Sequence, residues 1–128
     1  NDYKNIMILQ PTSPLRNPKD IKDSYNLYIK NKADTLISVY KVDDHHPARM
    51  YKIINNKLIG LDKNNFSKRR QNLSKIYHRN GSIYIFKKSN LNKNTIYGKN
   101  ITPFIMPIER SINIDNKNDF ELAKILLR

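Results

Sequence analysis

The sequence predicts an α/β domain, and three stretches near its start carry that reading. Ile6 to Leu9 is a run of four apolar residues, the mark of a short strand buried on both faces as in parallel sheets. Asn17-Pro18 follows, a favoured helix cap with proline at the tolerated first helical position, and Ile21, Tyr25 and Tyr28 then recur at helical spacing. Thr35 to Tyr40 is rich in β-formers. Strand, helix and strand at this spacing make a βαβ unit with a right-handed crossover.

The first strand must stop at Gln10, because Pro11 forces the residue before it into an extended conformation and has no N–H for a ladder. The loop Gln10-Pro11-Thr12-Ser13-Pro14-Leu15-Arg16 is stiff and polar and sits at a strand's carboxyl end, where open α/β sheets bind ligands. A plain stiff connection is the alternative. The helix runs from Pro18 to about Lys32, with Leu27 and Ile29 adding to its apolar side and Asp20 well placed in its first turn.

Residues 41–80 behave differently. Met50 to Ile54 and Lys57 to Ile59 form a hairpin around Asn55-Asn56, since asparagine tolerates the left-handed turn conformation. A polar, basic run from Asp62 to Lys75 follows, and an excursion this long is usually functional or an interaction arm. Asn80-Gly81 is then a turn before a strand at Ser82 to Phe86. Phe104 to Met106 is a short strand between two prolines, hence near a sheet edge. Asn116 to Leu127 is an amphipathic helix with Phe120, Ala123 and Leu127 on one face.

A chain of 128 residues is one domain or part of one. It has no cysteine, which removes disulfides and thiolate metal sites, and no apolar run of the roughly 20 residues needed to span a bilayer. A cytoplasmic protein without membrane contact is the default. The net charge of +13 raises a nucleic-acid reading, as does the stretch from Lys63 to Lys93, which holds nine Lys/Arg and no acid. Against it, lysine, asparagine and isoleucine, the residues of AT-rich codons, number 17, 18 and 18, so much of the charge is compositional. A specific nucleic-acid partner is not expected.

Several stretches resemble, in order, the acylneuraminate cytidylyltransferases, or CMP-sialic acid synthetases. Leu9-Gln10-Pro11-Thr12-Ser13-Pro14-Leu15-Arg16 resembles their loop. His45-His46-Pro47 followed by Arg49 resembles their HHP and basic residue. Arg70-Gln71-Asn72-Leu73 resembles their RQ-x-L-P, with Ser74 in place of the proline. Tyr77-His78-Arg79-Asn80-Gly81-Ser82-Ile83-Tyr84-Ile85 resembles their aromatic-Arg-x-Asn-Gly-Ala-Ile-Tyr-Ile, with His78 where arginine is common. Ser111-Ile112-Asn113-Ile114-Asp115 resembles their Ser-Ile-Asp-Ile-Asp, with Asn113 replacing the first aspartate.

The resemblance implies a Rossmann-like, three-layer nucleotidyltransferase fold with a mostly parallel sheet. It implies a single domain over 1–128, with a projecting dimerisation arm at about 41–80 and hence a homodimer. The family's glycine- and basic-rich triphosphate loop has no match here, so the chain is expected to be an amino-terminally truncated fragment, inactive alone. The implied activity joins CTP to a nine-carbon acidic sugar for surface glycan synthesis, with Mg²⁺. The implied sugar is sialic acid, with legionaminic, pseudaminic or KDO-type sugars as alternatives. A degenerate binding module is a further alternative.

The implied substrate-binding residues are Gln10, Arg49, Arg70, Asn80, Tyr84 and Tyr97, and the implied metal residues are Asp115 and Asn113. No general base stands out. Residues two apart on an extended segment face one side, so 113 and 115 suit one hard cation, while an N-cap role stays open for Asp115. A guanidinium at Arg49 can fork onto a carboxylate or simply be solvated. Tyr97 is either pocket wall or core. Adjacent His45 and His46 point apart in extended chain and lack a third ligand, which argues against zinc.

Overall fold

The computed structural model describes residues 3–127, which divide into two compact units, one made of residues up to Tyr40 and from Arg79 onward, the other of Lys41–His78. The first is an α/β unit built on four strands, β1 (Asn5–Leu9), β2 (Thr35–Val42), β5 (Ile76–Lys87) and β6 (Ile101–Ile105), in the order β1-β5-β2-β6. The helices are α1 (Pro18–Lys30) and α2 (Lys117–Leu126).

The sheet is mixed, and the expectation of a mostly parallel one is corrected. β2 and β6 run parallel, pairing Thr35 with Ile101 and Val39 with Ile105. β1 pairs antiparallel with β5, from Asn5 opposite Lys87 to Leu9 opposite Ile83. Toward β2, Lys87 N–H bonds to the Asp34 carbonyl while Ile83 N–H bonds to Ser38 Oγ, so β5 runs against β2 as well. The cause is connectivity. Parallel neighbours need a crossover from one end of the sheet to the other, whereas the chain after β2 goes through residues 43–75 and comes back as the reversed strand.

β1 is also corrected. It lies at one edge among the described strands, and Ile8 and Leu9 remain 39% and 37% exposed rather than buried on both faces. β6 takes the other edge, as its prolines predict; Pro103 lies within it, opposite Ile37. The Asn80-Gly81 pair is not a turn before a strand. β5 runs straight through it, with Gly81 at φ +73° as a local irregularity that only glycine adopts without strain.

α1 starts where Asn17 and Pro18 place it. The Asn17 side chain accepts Asp20 N–H, and the Asp20 carboxylate accepts Asn17 N–H, a reciprocal capping box. Tyr28 buries its ring with Ala33, Leu36, Ile83, Ile85 and Met106, and Met7, Ile21, Leu27 and Phe104 pack against this core. Fully burying Leu36, Ile83, Ile85 and Met106 contributes about 1.5–3 kcal/mol for each side chain that leaves water. α2 is capped by Asn116, not Asp115, and of its expected apolar face only Ala123 is buried, while Phe120 and Leu127 are exposed.

Two polar devices hold the unit's ends. At the start of β2 the Asp34 carboxylate takes the Lys87 ammonium at 2.6 Å and Asn100 N–H at 3.0 Å. Gly98 sits so close that a Cβ there would lie 2.1 Å from Asp34 Cβ, so no other residue fits. At the start of α1, Arg110 forks onto Asp20 at 3.1 and 2.7 Å. That ion pair pins the chain immediately before Ser111.

The second unit contains the expected hairpin, β3 (Tyr51–Ile54) and β4 (Lys57–Gly60), with Asn55 and Asn56 both left-handed at φ 49° and 60°. A short 3-10 turn covers Arg70–Asn72 in the basic run.

Asp20 is buried, which pushes its carboxyl up. The Arg110 and Asn17 hydrogen bonds and the charges of Arg110 and Lys19 outweigh this and hold it below the ordinary value. A lowered folded value stabilises the fold above about pH 4 and is lost as pH falls through it. Asp20→Asn should therefore cost about 1–3 kcal/mol near pH 7. Its Tm should also fall less than the wild type's on acidification below about pH 4, as thermal melts across pH will show.

Candidate functional site

The loop after β1 is held by its own residues. Ser13 N–H bonds to the Gln10 carbonyl, and the Arg16 guanidinium donates to the carbonyls of Gln10 and Ser82, at 3.2 and 2.8 Å. Ile114 N–H bonds to the Thr12 carbonyl at 2.8 Å, which ties the segment carrying Asn113 and Asp115 to the same loop. Arg16 therefore clamps backbone, and Gln10 is left with its side chain directed at Gly81.

Gln10, Asn113 and Asp115 come together at this strand end. A Cβ on Gly81 would meet Gln10 Oε1 at 2.5 Å and Asn113 Oδ1 at 3.8 Å, so the two amide oxygens border one spot that the missing side chain keeps clear. Asn113 Nδ2 donates to Asp115 Oδ1 at 2.8 Å, which places both side chains on one side of the extended segment. Asn113 Oδ1 is buried and has no hydrogen-bond partner. Buried polar atoms are rarely left this way without a reason.

The donor chemistry fits a hard cation such as Mg²⁺: one carboxylate and neighbouring amide oxygens, with no nitrogen or sulfur ligand. No cluster of three or more His, Cys, Asp or Glu is present among the described residues, so a cation here would draw most of its ligands from water and substrate oxygens.

Asn80 lies beneath this spot, 3% exposed. Its Oδ1 accepts Ser38 Oγ–H at 2.6 Å and Ser82 N–H at 3.1 Å, and its Nδ2 donates to Ser111 Oγ at 3.0 Å and Met106 sulfur at 3.3 Å. Its carbonyl accepts Ser13 Oγ–H at 3.4 Å. With its amide fully engaged, Asn80 shapes the site from within. Ser13, Ser38 and Ser111 are the supporting residues that sequence reasoning did not single out. Ser13 and Ser111 stand inside the quoted motifs, while Ser38 is one hydroxyl in an apolar strand.

Tyr84 and Tyr97 form a second group. Tyr84 is 7% exposed and lies opposite Ile8 across the β1/β5 ladder. Tyr97 is 42% exposed, and its hydroxyl accepts Arg79 Nη1–H at 2.9 Å. Burial pushes the Tyr84 phenol up, against the opposing charge of Arg79.

Arg49 and Arg70 are in the Lys41–His78 unit, where both line a cleft of about 860 Å³. Asp43 lies in the same cleft, its carboxyl held low by a hydrogen bond and charge from Lys41 and by the charge of Arg70. Arg49 also donates to the Lys68 carbonyl at 3.2 Å. His46 Nδ1 accepts Ala48 N–H at 3.0 Å, which leaves a neutral ring's Nε2–H for the Ser74 carbonyl at 3.2 Å. Both ring nitrogens of His46 are thus engaged with the backbone.

An α/β unit with a polar, oxygen-lined spot at the end of its first strand is the class that fold and site define. The chain matches no family model. It is 28% identical to a pseudaminic acid cytidylyltransferase of Campylobacter jejuni, over 98% of this chain and 55% of that protein. It is 32% identical to an N-acylneuraminate cytidylyltransferase of Escherichia coli, over 95% of this chain and 29% of that protein. Over 61% of this chain and 33% of the other it is 37% identical to a CMP-N,N'-diacetyllegionaminic acid synthase of Campylobacter jejuni. The relatives that match nearly the whole of this chain are cytidylyltransferases of nonulosonic acids, in keeping with the motifs that resemble the acylneuraminate cytidylyltransferases. It spans about half the length of the pseudaminic acid relatives and under a third of the N-acylneuraminate ones.

Ser82 Oγ is buried at the same place and makes no hydrogen bond. Ser82→Ala removes an unsatisfied hydroxyl and should leave Tm unchanged or raise stability by up to about 1 kcal/mol. Gly81→Ala should cost about 1–3 kcal/mol, because its φ is positive and the new methyl meets Gln10. Parallel denaturant titrations of the two variants test the pair.

Proposed function

We propose that the whole protein transfers CMP from CTP to a nonulosonic acid, releasing pyrophosphate, and serves surface glycan synthesis. The observation that carries this is the grouping of Gln10, Asn113 and Asp115 at one strand end, in a chain whose relatives are named for this chemistry. The sugar's anomeric hydroxyl attacks the α-phosphorus of CTP, and the protein's part is to hold both reactants in line. Gln10 orients the sugar near the nucleotide. Asp115, with the Asn113 carbonyl, holds Mg²⁺, which when bound neutralises phosphate charge.

Arg49 and Arg70 bind anionic groups of the sugar from a second copy in a homodimer, with Tyr84 and Tyr97 as pocket walls. The hairpin unit supports the dimer, since Tyr51, Ile53, Leu58 and Phe66 are exposed there. The triphosphate grip belongs to sequence outside these 128 residues, this chain being the carboxyl-terminal part of a Rossmann-like nucleotidyltransferase. The relatives divide among sialic, pseudaminic and legionaminic acids, and the choice rests on pocket shape. The enzyme works in the cytoplasm, where CTP is made. Among the described residues no helix is long and apolar enough to cross a membrane.

Pyrophosphate release from CTP with each of the three sugars tests the reading. The complete protein should turn over with one of them, and the 128-residue chain alone should not. Arg70→Ala should raise the sugar's KM on the order of 10- to 100-fold while leaving that of CTP nearly unchanged. Asp115→Ala should abolish activity at any practical Mg²⁺ concentration, and Asn113→Asp should lower the Mg²⁺ requirement. Loss of Tm at Asp115→Ala with activity intact would make Asp115 structural.

A further inference from the structure

We propose that a basic cleft at the far end of the sheet from the candidate site binds the terminal phosphate of a small nucleotide, with Tyr3 against its base. This goes beyond the transferase reading and does not depend on it. β1 separates the two places, since five residues of strand carry the chain about 17 Å from Asn5 to Gln10. The cleft encloses about 510 Å³, a size that takes one small molecule, and Tyr3, Lys4, Lys87, Lys88, Ser89 and Asn92 line it. Among the described residues no carboxylate does so.

The walls are built by the fold. Lys88 N–H bonds to the Lys4 carbonyl at 2.8 Å beyond the last β1/β5 pair, and the chain then enters a 3-10 segment, Lys88–Lys93. Buried Asn90 fixes that segment, its Nδ2 donating to the Asp34 and Ile96 carbonyls at 3.2 and 3.1 Å. Ser89 and Asn92 are thereby presented at the cleft as exposed polar residues.

Lys87 supplies a charge that is held in place. Its ammonium gives one of three N–H groups to Asp34 Oδ1 at 2.6 Å. The hydrogen bonds from Lys87 and Asn100 N–H hold the Asp34 carboxyl below its ordinary value, so this anchor stays ionised. The Lys87 side chain is still 45% exposed, with donors left for a ligand. Lys4 and Lys88 add two exposed lysines to the same lining.

Three cations against one carboxylate leave the place positive. A terminal phosphate, close to doubly charged at neutral pH and rich in acceptor oxygens, matches them, and lysine binds phosphate as a point charge. Tyr3 is 69% exposed and offers a face on which a base can stack. Cations gathered in one cleft, not strung along a groove, favour a single small ligand over a polynucleotide.

The test is an NMR titration of the 128-residue chain with ADP, adenosine and inorganic pyrophosphate, in EDTA so that no metal contributes. ADP should saturate, with shifts centred on residues 3–5 and 87–92 and not on Gln10 and Asn113. Adenosine should show no saturable binding, and pyrophosphate should bind about tenfold more weakly than ADP. Lys4→Ala and Lys88→Ala should each weaken ADP on the order of 5- to 10-fold, and Tyr3→Ala should bring ADP to the level of pyrophosphate. Lys22→Ala, which removes the same charge from α1, should change nothing. Lys87→Ala should weaken ADP on the order of 10- to 100-fold, with Lys87→Arg recovering most of it. Should melts show Lys87→Ala unfolded, Lys4→Ala and Lys88→Ala decide alone. Equal losses in Lys22→Ala and Lys4→Ala would reduce the effect to the general field of a +13 chain and overturn the proposal. Adenosine binding as tightly as ADP, or shifts centred on Gln10, would also overturn it. So would displacement of ADP at physiological salt by an oligonucleotide without a terminal phosphate, which would make the cleft a nucleic-acid surface.

Discussion

The carboxamide of Asn80 makes four hydrogen bonds where water is excluded, and the candidate site depends on them. Through Ser38 it fixes β5 against β2, through Ser82 N–H it turns its own strand past Gly81, and through Ser111 it anchors the segment that presents Asn113 and Asp115. Leaving any of these groups unpaired in the interior costs about 1–3 kcal/mol. The arrangement is thus over-determined around one side chain. Interiors of this kind specify a single geometry, because a half-made polar network is worse than an apolar core.

The same economy of polar groups runs through the α/β unit. Ser13, Ser24, Thr35, Ser38, Thr102 and Ser111 are all buried, and among the described residues only Ser82 of the buried serine hydroxyls is without a bond. Hydroxyls fill space that longer apolar chains would occupy in a larger core, and they satisfy carbonyls that irregular segments leave over. The Asp20–Arg110 and Asp34–Lys87 pairs then fasten segments far apart in sequence, which apolar contacts alone would hold with less angular precision.

Local signals in the sequence were strong where local chemistry decides structure. Asn17-Pro18, Asn55-Asn56 and the proline-flanked β6 act through their own backbones, and each predicted the right element. Where pairing decides, the sequence was silent. The reversal of β5 and the edge position of β1 follow from which strands become neighbours, and Ile6 to Leu9 has the same letters whether buried or half-exposed. The joining of Gln10 with Asn113 and Asp115 was legible only by resemblance, since a hundred residues separate them. Ser38 and the Asp20–Arg110 pair left no local trace at all, for one is a short polar residue in a strand and the other an ion pair across the chain.

The two outer strands meet their surroundings on unequal terms. β6 carries Pro103, which has no N–H to offer, so an approaching strand cannot pair along its full length. β1 has no such guard: five residues without proline, Ile8 and Leu9 partly open, and a second side on which no described strand lies. Any added strand, whether from further sequence or from another molecule, therefore has one preferred door. Among the described strands of this sheet, a lysine placed at Ile8 would guard the β1 edge much as Pro103 guards that of β6.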